Sequence, residues 1–244
     1  MPQNSAPATR PSAAPRVTVR HIQLIRAIVA AIAALMITFS PDHSAVYGLA
    51  TFSGFAIATA LVLAFGAWMA YPRGRRWPVA TAAVLTAIAG MVGGVPQWRS
   101  TALFFAIIIT WAAVTGLTEI AGAWVDRVRL RDEAGDDPQR RSEIRDALTV
   151  GIITVVLAIA VGLVSPDFRL DYFIDDAGQW FALTGITIAV GLFGGYAAIV
   201  AVYLGIAAFT PRREAPEPED AEPEDAADSE ASTSVPSAPD EESA

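Results

Sequence analysis

The chain has 244 residues, 53% of them hydrophobic and only 17% charged, and its 17 basic and 25 acidic residues give a net charge of −8. A chain this apolar and net negative is not built to bind nucleic acid. With no cysteine it also has no disulfide, no thiolate chemistry and no cysteine metal site.

The acidity is local. Residues 211–244 hold 12 of the acids and two of the arginines, leaving 15 basic against 13 acidic residues in the rest of the chain. In chain order, residues 1–19 are rich in Pro, Ala and Ser and are expected to form a disordered arm. A membrane domain is expected over 20–210, with spans at roughly 21–39, 45–70, 77–95, 101–125, 147–165 and 180–209. Each long apolar run must close its own backbone hydrogen bonds in lipid, so the expected class is all-α, a polytopic protein of six transmembrane helices.

The first span has an apolar core longer than a signal-peptide h-region and a poor cleavage site at Phe39-Ser40-Pro41, so it reads as an uncleaved anchor. The sixth segment, at about 30 residues where about 20 suffice, is expected to begin at the interface near Trp180. The stretch 211–244, with proline, acids and small residues, is expected to be a disordered cytoplasmic tail. It is either a solvated spacer or a docking segment for a basic cytoplasmic partner.

A repeat runs through the spans. Arg20 to Pro41, Arg75 to Pro96 and Arg145 to Pro166 are each 21 residues apart, and each pair brackets a membrane-length run. Ala56 to Trp68, Ala112 to Trp124 and Ala197 to Phe209 align without gaps, each ending in small residues and an aromatic. These alignments point to three helical-hairpin repeats, 20–72, 73–130 and 145–210. Proline to terminal aromatic is 27, 28 and 43 residues, so the third unit carries an insertion, expected as a loop.

Arginine sets the expected orientation. Arg10, Arg16, Arg20, Arg26, Arg73, Arg75, Arg76, Arg127, Arg129, Arg131, Arg140, Arg141, Arg145, Arg212 and Arg213 fall on one side, and only Arg99 and Arg169 on the other. Under the positive-inside rule both termini are cytoplasmic in the cell membrane. Trp68, Trp77 and Trp124 then lie near the inner interface, and Tyr47, Trp98 and Trp180 near the outer one.

Chemistry is sparse. There is no phosphate-cradling glycine loop, no HExxH and no GxSxG serine, and His21 and His43 fall on opposite sides of the membrane. No catalytic residue, cofactor or metal is expected. Glu119 is the informative polar residue: it lies seven positions before Asp126, roughly 10 Å inside the boundary at about 1.5 Å per residue. An ionisable group there is a functional candidate, with Thr115 and Thr118 beside it, for proton-coupled or gating work. The alternative is that it is protonated, or hydrogen-bonded to a threonine such as Thr59 or Thr115, and locks packing.

Gly90 with Gly94, Gly116, and Gly191 with Gly195 are candidate helix-packing positions, within the chain or between copies in a homo-oligomer. On the outer side, Asp42, His43, Asp167, Asp171, Asp175 and Asp176 are either a solvated loop group or a cation or pH site. The inner connection 126–146, with six arginines and seven acids, reads as a short charged helix-turn or loop attracted to anionic lipid heads.

Helices joined by Ser40-Pro41-Asp42 and Ser165-Pro166-Asp167, with GLTEIAGAW over 116–124 running into arginines, resemble the HdeD-type family of small membrane proteins built of short repeats. The resemblance covers about 20–210 and is clearest in the second unit. It implies six helices in the cytoplasmic membrane and a link to acid resistance without an established reaction. It carries over Gly116 and Glu119 as marks of the fourth helix. The acidic tail, the enlarged third outer loop and the charged inner connection depart from the family's short pattern. Two functions remain open: a non-catalytic stress-related scaffold or sensor, and a small transporter or channel using Glu119.

Overall fold

The structure, a computed structural model, describes residues 18–71, 74, 76–132 and 138–210. The N-terminal arm, the acidic tail, Arg73, Arg75 and part of the charged inner connection lie outside the described residues. Among the described residues there are six α-helices: α1 (Val19–Phe39), α2 (Ala45–Met69), α3 (Arg76–Gly94), α4 (Thr101–Asp132), α5 (Pro138–Gly162) and α6 (Gly185–Phe209). All six are long and apolar enough to cross a membrane.

Local chemistry starts and stops them. Ser44 Oγ accepts from the Tyr47 amide and Thr184 Oγ1 from the Thr187 amide, satisfying first-turn donors of α2 and α6. At the other termini arginines take up orphaned carbonyls. Arg76 donates to Trp68 O and Tyr71 O after α2, Arg99 to Gly93 O and Gly94 O after α3, and Arg20 to Ala208 O in the last turn of α6. A cation at a helix C-terminus also complements its dipole.

The helices form a closed ring in chain order, with α6 returning to α1. Partners within the expected hairpins, α1–α2, α3–α4 and α5–α6, are neighbours in it. The most extensive packing lies instead across α2–α3, α4–α5 and α6–α1.

Small residues explain this, because lipid offers apolar side chains no drive to associate and close backbone approach must supply the contact. A Cβ on Gly90 of α3 would meet Ala56 and Ile57 of α2 at 3.0 Å; one on Gly116 of α4 would meet Gly151 O of α5 at 2.8 Å; one on Gly194 of α6 would meet Ile37 of α1 at 2.7 Å. On α1 the inward positions are Ala27, Ala30, Ala33, Ala34 and Ile37, while Ile28, Ile32, Leu35 and Phe39 are exposed. On α1 most small side chains face in and most large ones face out, the reverse of a water-soluble helix.

Two expectations need correction. The inserted loop is a β-hairpin: β1 (Arg169–Ile174) pairs antiparallel with β2 (Gln179–Thr184) in a register that sets Arg169 opposite Thr184 and Ile174 opposite Gln179. Tyr172 stacks on Phe181 with ring centroids 6.0 Å apart, and Phe173 meets Trp180 at 5.4 Å. Such aromatic cross-strand pairs hold a two-stranded ribbon. Gly178, at φ 62°, supplies the left-handed residue that the tight connection requires. The sixth span therefore starts at Gly185 and not near Trp180. Its amide donates to Phe168 O at 2.8 Å, and a Cβ on this residue would collide with Ser165 O.

The second correction concerns the charged inner connection. It is largely helix, since α4 runs seven residues past the expected end at 125 and α5 starts nine residues before 147. At about 1.5 Å per residue, the 32 residues of α4 span about 48 Å, against about 30 Å of hydrocarbon.

Candidate functional site

The site is built from the inner faces of α1 and α4. Arg26, counted in the sequence with the arginines flanking the first span, lies two turns inside α1 and faces the ring interior. Its Nη2 donates to Glu119 Oε1 at 3.1 Å, and both side chains are largely buried, with 19% and 16% exposure. The carboxylate of Glu119 thus has a cation as its partner, not Thr59 or Thr115.

Thr115 Oγ1 donates to Trp111 O at 2.5 Å and Thr118 Oγ1 to Val114 O at 2.7 Å, so both hydroxyls are spent on their own helix. Thr115 still lines the cavity beside Glu119; Thr118 does not.

Two cavities meet at the ion pair, and Arg26, Glu119, Leu63 and Ala82 line both. The wider, of about 80 Å³, is a vestibule toward the end of the ring where α1 begins. Asp126 of α4 and Glu143 and Asp146 of α5 line it, with Gln23 and Tyr71. The inner one, about 20 Å³, has room for about one water molecule. Thr59, Thr86, Thr115, Thr154 and Tyr196 give it polar walls. Tyr196 OH and Thr154 Oγ1 are 3.1 Å apart, and because the threonine hydrogen goes to Val150 O at 2.8 Å, the tyrosine is the donor. Thr59 Oγ1, on the wall of this cavity, is buried with no hydrogen-bond partner among the described residues.

Beyond this cavity an aromatic layer fills the ring. Trp111 meets Phe52 edge-on at 5.1 Å and Phe55 at 5.9 Å, and Phe193 meets the same two rings at 5.5 and 5.6 Å. The indole Nε1 of Trp111 donates to Thr86 Oγ1 at 3.1 Å, which satisfies a buried donor and fixes the ring. Farther along, Leu49, Phe104, Ile108, Val161 and Val190 are wholly buried. The polar interior is therefore open toward one end and packed shut toward the other.

Sequence reasoning passed over a second carboxylate. Asp146 is 4% exposed, with Gln23 Nε2 donating to Oδ2 at 3.1 Å and Tyr203 OH to Oδ1 at 3.1 Å. It ties α5 to α1 and α6. Beside Arg145 it looks like the edge of a charged loop, and only the backward extension of α5 carries it into the bundle.

Among the glycines, Gly90, Gly94 and Gly116 lie in helix contacts, Gly94 against Ser53 Oγ. Gly191 and Gly195 have nothing within 4 Å of where a Cβ would stand; the packing role on α6 falls to Gly194. The outer acids do not converge either. Asp42 Oδ1 caps the Ser44 amide at 2.8 Å, and Asp171 pairs with Arg169 on the hairpin at 3.0 Å, holding that guanidinium above its ordinary range. Among the described residues, no group of three or more His, Asp or Glu is placed to hold a metal ion.

Six helices long and apolar enough to cross a membrane, with many large apolar side chains exposed on their outer faces and an ion pair inside, define an integral, multi-pass membrane protein. No family model, no curated protein and no solved structure matches the chain.

Proposed function

We propose that this chain is a non-catalytic protein of the cytoplasmic membrane, of the HdeD type, that senses proton-linked stress through the Arg26–Glu119 pair, with both termini in the cytoplasm. One observation carries the reading: the pair stands where an acid-lined vestibule meets a water-sized cavity whose far side is filled by aromatic rings. A group reached from one side only reports on that side and conducts nothing. Protonation of Glu119 removes half of a contact that joins α1 to α4, and Asp126, Glu143, Asp146 and Tyr71 line the route by which a proton arrives. The Ser-Pro-Asp turns and the glycine-glutamate run of α4 support the family assignment. The arginine distribution supports the orientation, and the gapless segment alignments support descent from three hairpin repeats.

The absence of cysteine allows a direct test, with paired labels at Ile25→Cys and Leu117→Cys, two exposed positions on α1 and α4. The distance between them in lipid nanodiscs should change on acidification in the otherwise native chain and stay fixed in Glu119→Gln. A wild-type distance indifferent to pH, or a change that survives Glu119→Gln, refutes the sensor.

Transport is the second reading. It is favoured by the polar walls that continue past the ion pair to the unpartnered Thr59 hydroxyl. Reconstituted vesicles would then show a pH-linked flux that Glu119→Gln abolishes, and no flux from the wild-type chain excludes it.

A further inference from the structure

The emergent ends of α4 and α5 sort their charges. Asp126 on α4 and Glu143 and Asp146 on α5 face the vestibule. Arg127 and Arg131 on α4, and Arg141 and Arg145 on α5, line a separate groove of about 450 Å³ between the same two helices. Each arginine pair is spaced i, i+4, which stacks two guanidiniums on one helix face. Among the described residues no acid lines this groove. Its other walls are Leu130, Ile144 and Leu148.

The groove also lies at a telling depth. Trp124, 64% exposed, is one turn before Arg127 and two turns before Arg131 on the same helix. An exposed tryptophan at a span end sits at the headgroup boundary, so the groove stands at the level of lipid phosphates, with Leu148 deeper than the four arginines and Leu130 and Ile144 interleaved with them. Guanidinium forks match phosphate oxygens in pairs. A ligand that is anionic at its head and apolar just below matches both sets of walls.

We propose that this groove binds one anionic glycerophospholipid, its phosphodiester held by Arg127, Arg131 and Arg145 and the root of its acyl chains laid on Leu148. The site is independent of the Arg26–Glu119 reading and stands or falls separately. A lipid seated there bridges α4 to α5 at the membrane surface, where the helix pair leaves the hydrocarbon.

The test uses the full chain in a neutral detergent, titrated with phosphatidylglycerol or phosphatidylcholine and read by lipid retention in native mass spectrometry and by melting temperature. Phosphatidylglycerol should bind and stabilise more strongly than phosphatidylcholine. Arg131→Gln with Arg145→Gln should weaken that binding by about fivefold per arginine removed. Arg131→Lys with Arg145→Lys, which keeps the charge and loses the fork, should fall between the two and reports on the groove if the glutamine variant folds poorly. Arg169→Gln, at the opposite end, should bind as wild type does. Equal binding of the two lipids, full retention in the glutamine variant, or an equal loss in Arg169→Gln overturns the proposal. Inorganic phosphate that stabilises the protein as well as phosphatidylglycerol makes the groove a free-phosphate site and overturns the lipid assignment.

Discussion

Arg26 and Glu119 meet from matched depths: the arginine lies seven residues after the start of α1, the glutamate seven before Asp126, and their side chains close to 3.1 Å. Two antiparallel helices thereby carry opposite charges to one level of the bundle. Breaking a buried pair leaves an unpaired charge, whereas replacing both partners removes the desolvation cost as well. Glu119→Leu should therefore lower stability in detergent by about 3 kcal/mol, and Arg26→Leu with Glu119→Leu should recover most of that loss. A double variant no more stable than the single one contradicts the pairing.

The glycine contacts make a sharp contrast on one helix. Gly194→Leu forces a side chain into Ile37 and should cost about 1–3 kcal/mol, the range for overpacking, or open the α6–α1 contact altogether. Gly191→Leu and Gly195→Leu point into open space and should change stability by no more than about 0.5 kcal/mol in a detergent-solubilised monomer. If copies associate through that face, the same two variants will shift the oligomeric state at unchanged monomer stability, as sedimentation in detergent will show.

Asp146 accepts from two different helices at once. Asp146→Asn keeps a carbonyl oxygen for Tyr203 and serves Gln23 only if that side chain flips to accept from the new amide, so it should cost no more than about 1 kcal/mol. Asp146→Leu removes both acceptors and leaves the buried Gln23 amide without its partner, so it should cost more, about 1–3 kcal/mol. Thermal unfolding of the two variants in one detergent ranks them, and equal melting temperatures would mean that Asp146 is not the junction described.

The β-hairpin should be dispensable for the bundle. Every residue of β1 is exposed, and β2 is exposed or half-buried along its length. Replacing residues 170–183 by a short glycine-serine link, with Ser165 and Gly185 kept, should leave the melting temperature within a few degrees of wild type. A collapse of expression or stability would show that the ribbon supports α6.

The spans were legible because hydropathy and length constrain a lipid-crossing segment tightly, and α1, α2 and α3 begin and end within about two residues of where apolar runs and turn residues place them. Glu119 stood out for the same reason. Its partner did not, because Arg26 follows Arg20 closely enough to be counted with the flanking arginines, and sequence alone gives no facing between α1 and α4. The apolar character of Trp180 to Thr184 masked a strand as a helix start. The cue was the two six-residue runs, RLDYFI and QWFALT, either side of Asp-Asp-Ala-Gly. Gly151 and Gly194 escaped notice since small residues are abundant in every span and only the contact partner distinguishes a packed glycine from an exposed one.

The outward placement of Ile28, Ile32, Leu35 and Phe39 on α1, with alanines facing in, bears on the order of assembly. Collapse away from water cannot by itself bring such a helix to its neighbours, because its bulkiest apolar face ends in lipid; threading into the bilayer comes first and docking second. The ring closes only when the last helix made, α6, seats Gly194 on Ile37 of the first. A nascent chain halted before α6 consequently leaves α1 without its most extensive neighbour, however well the first five helices have inserted.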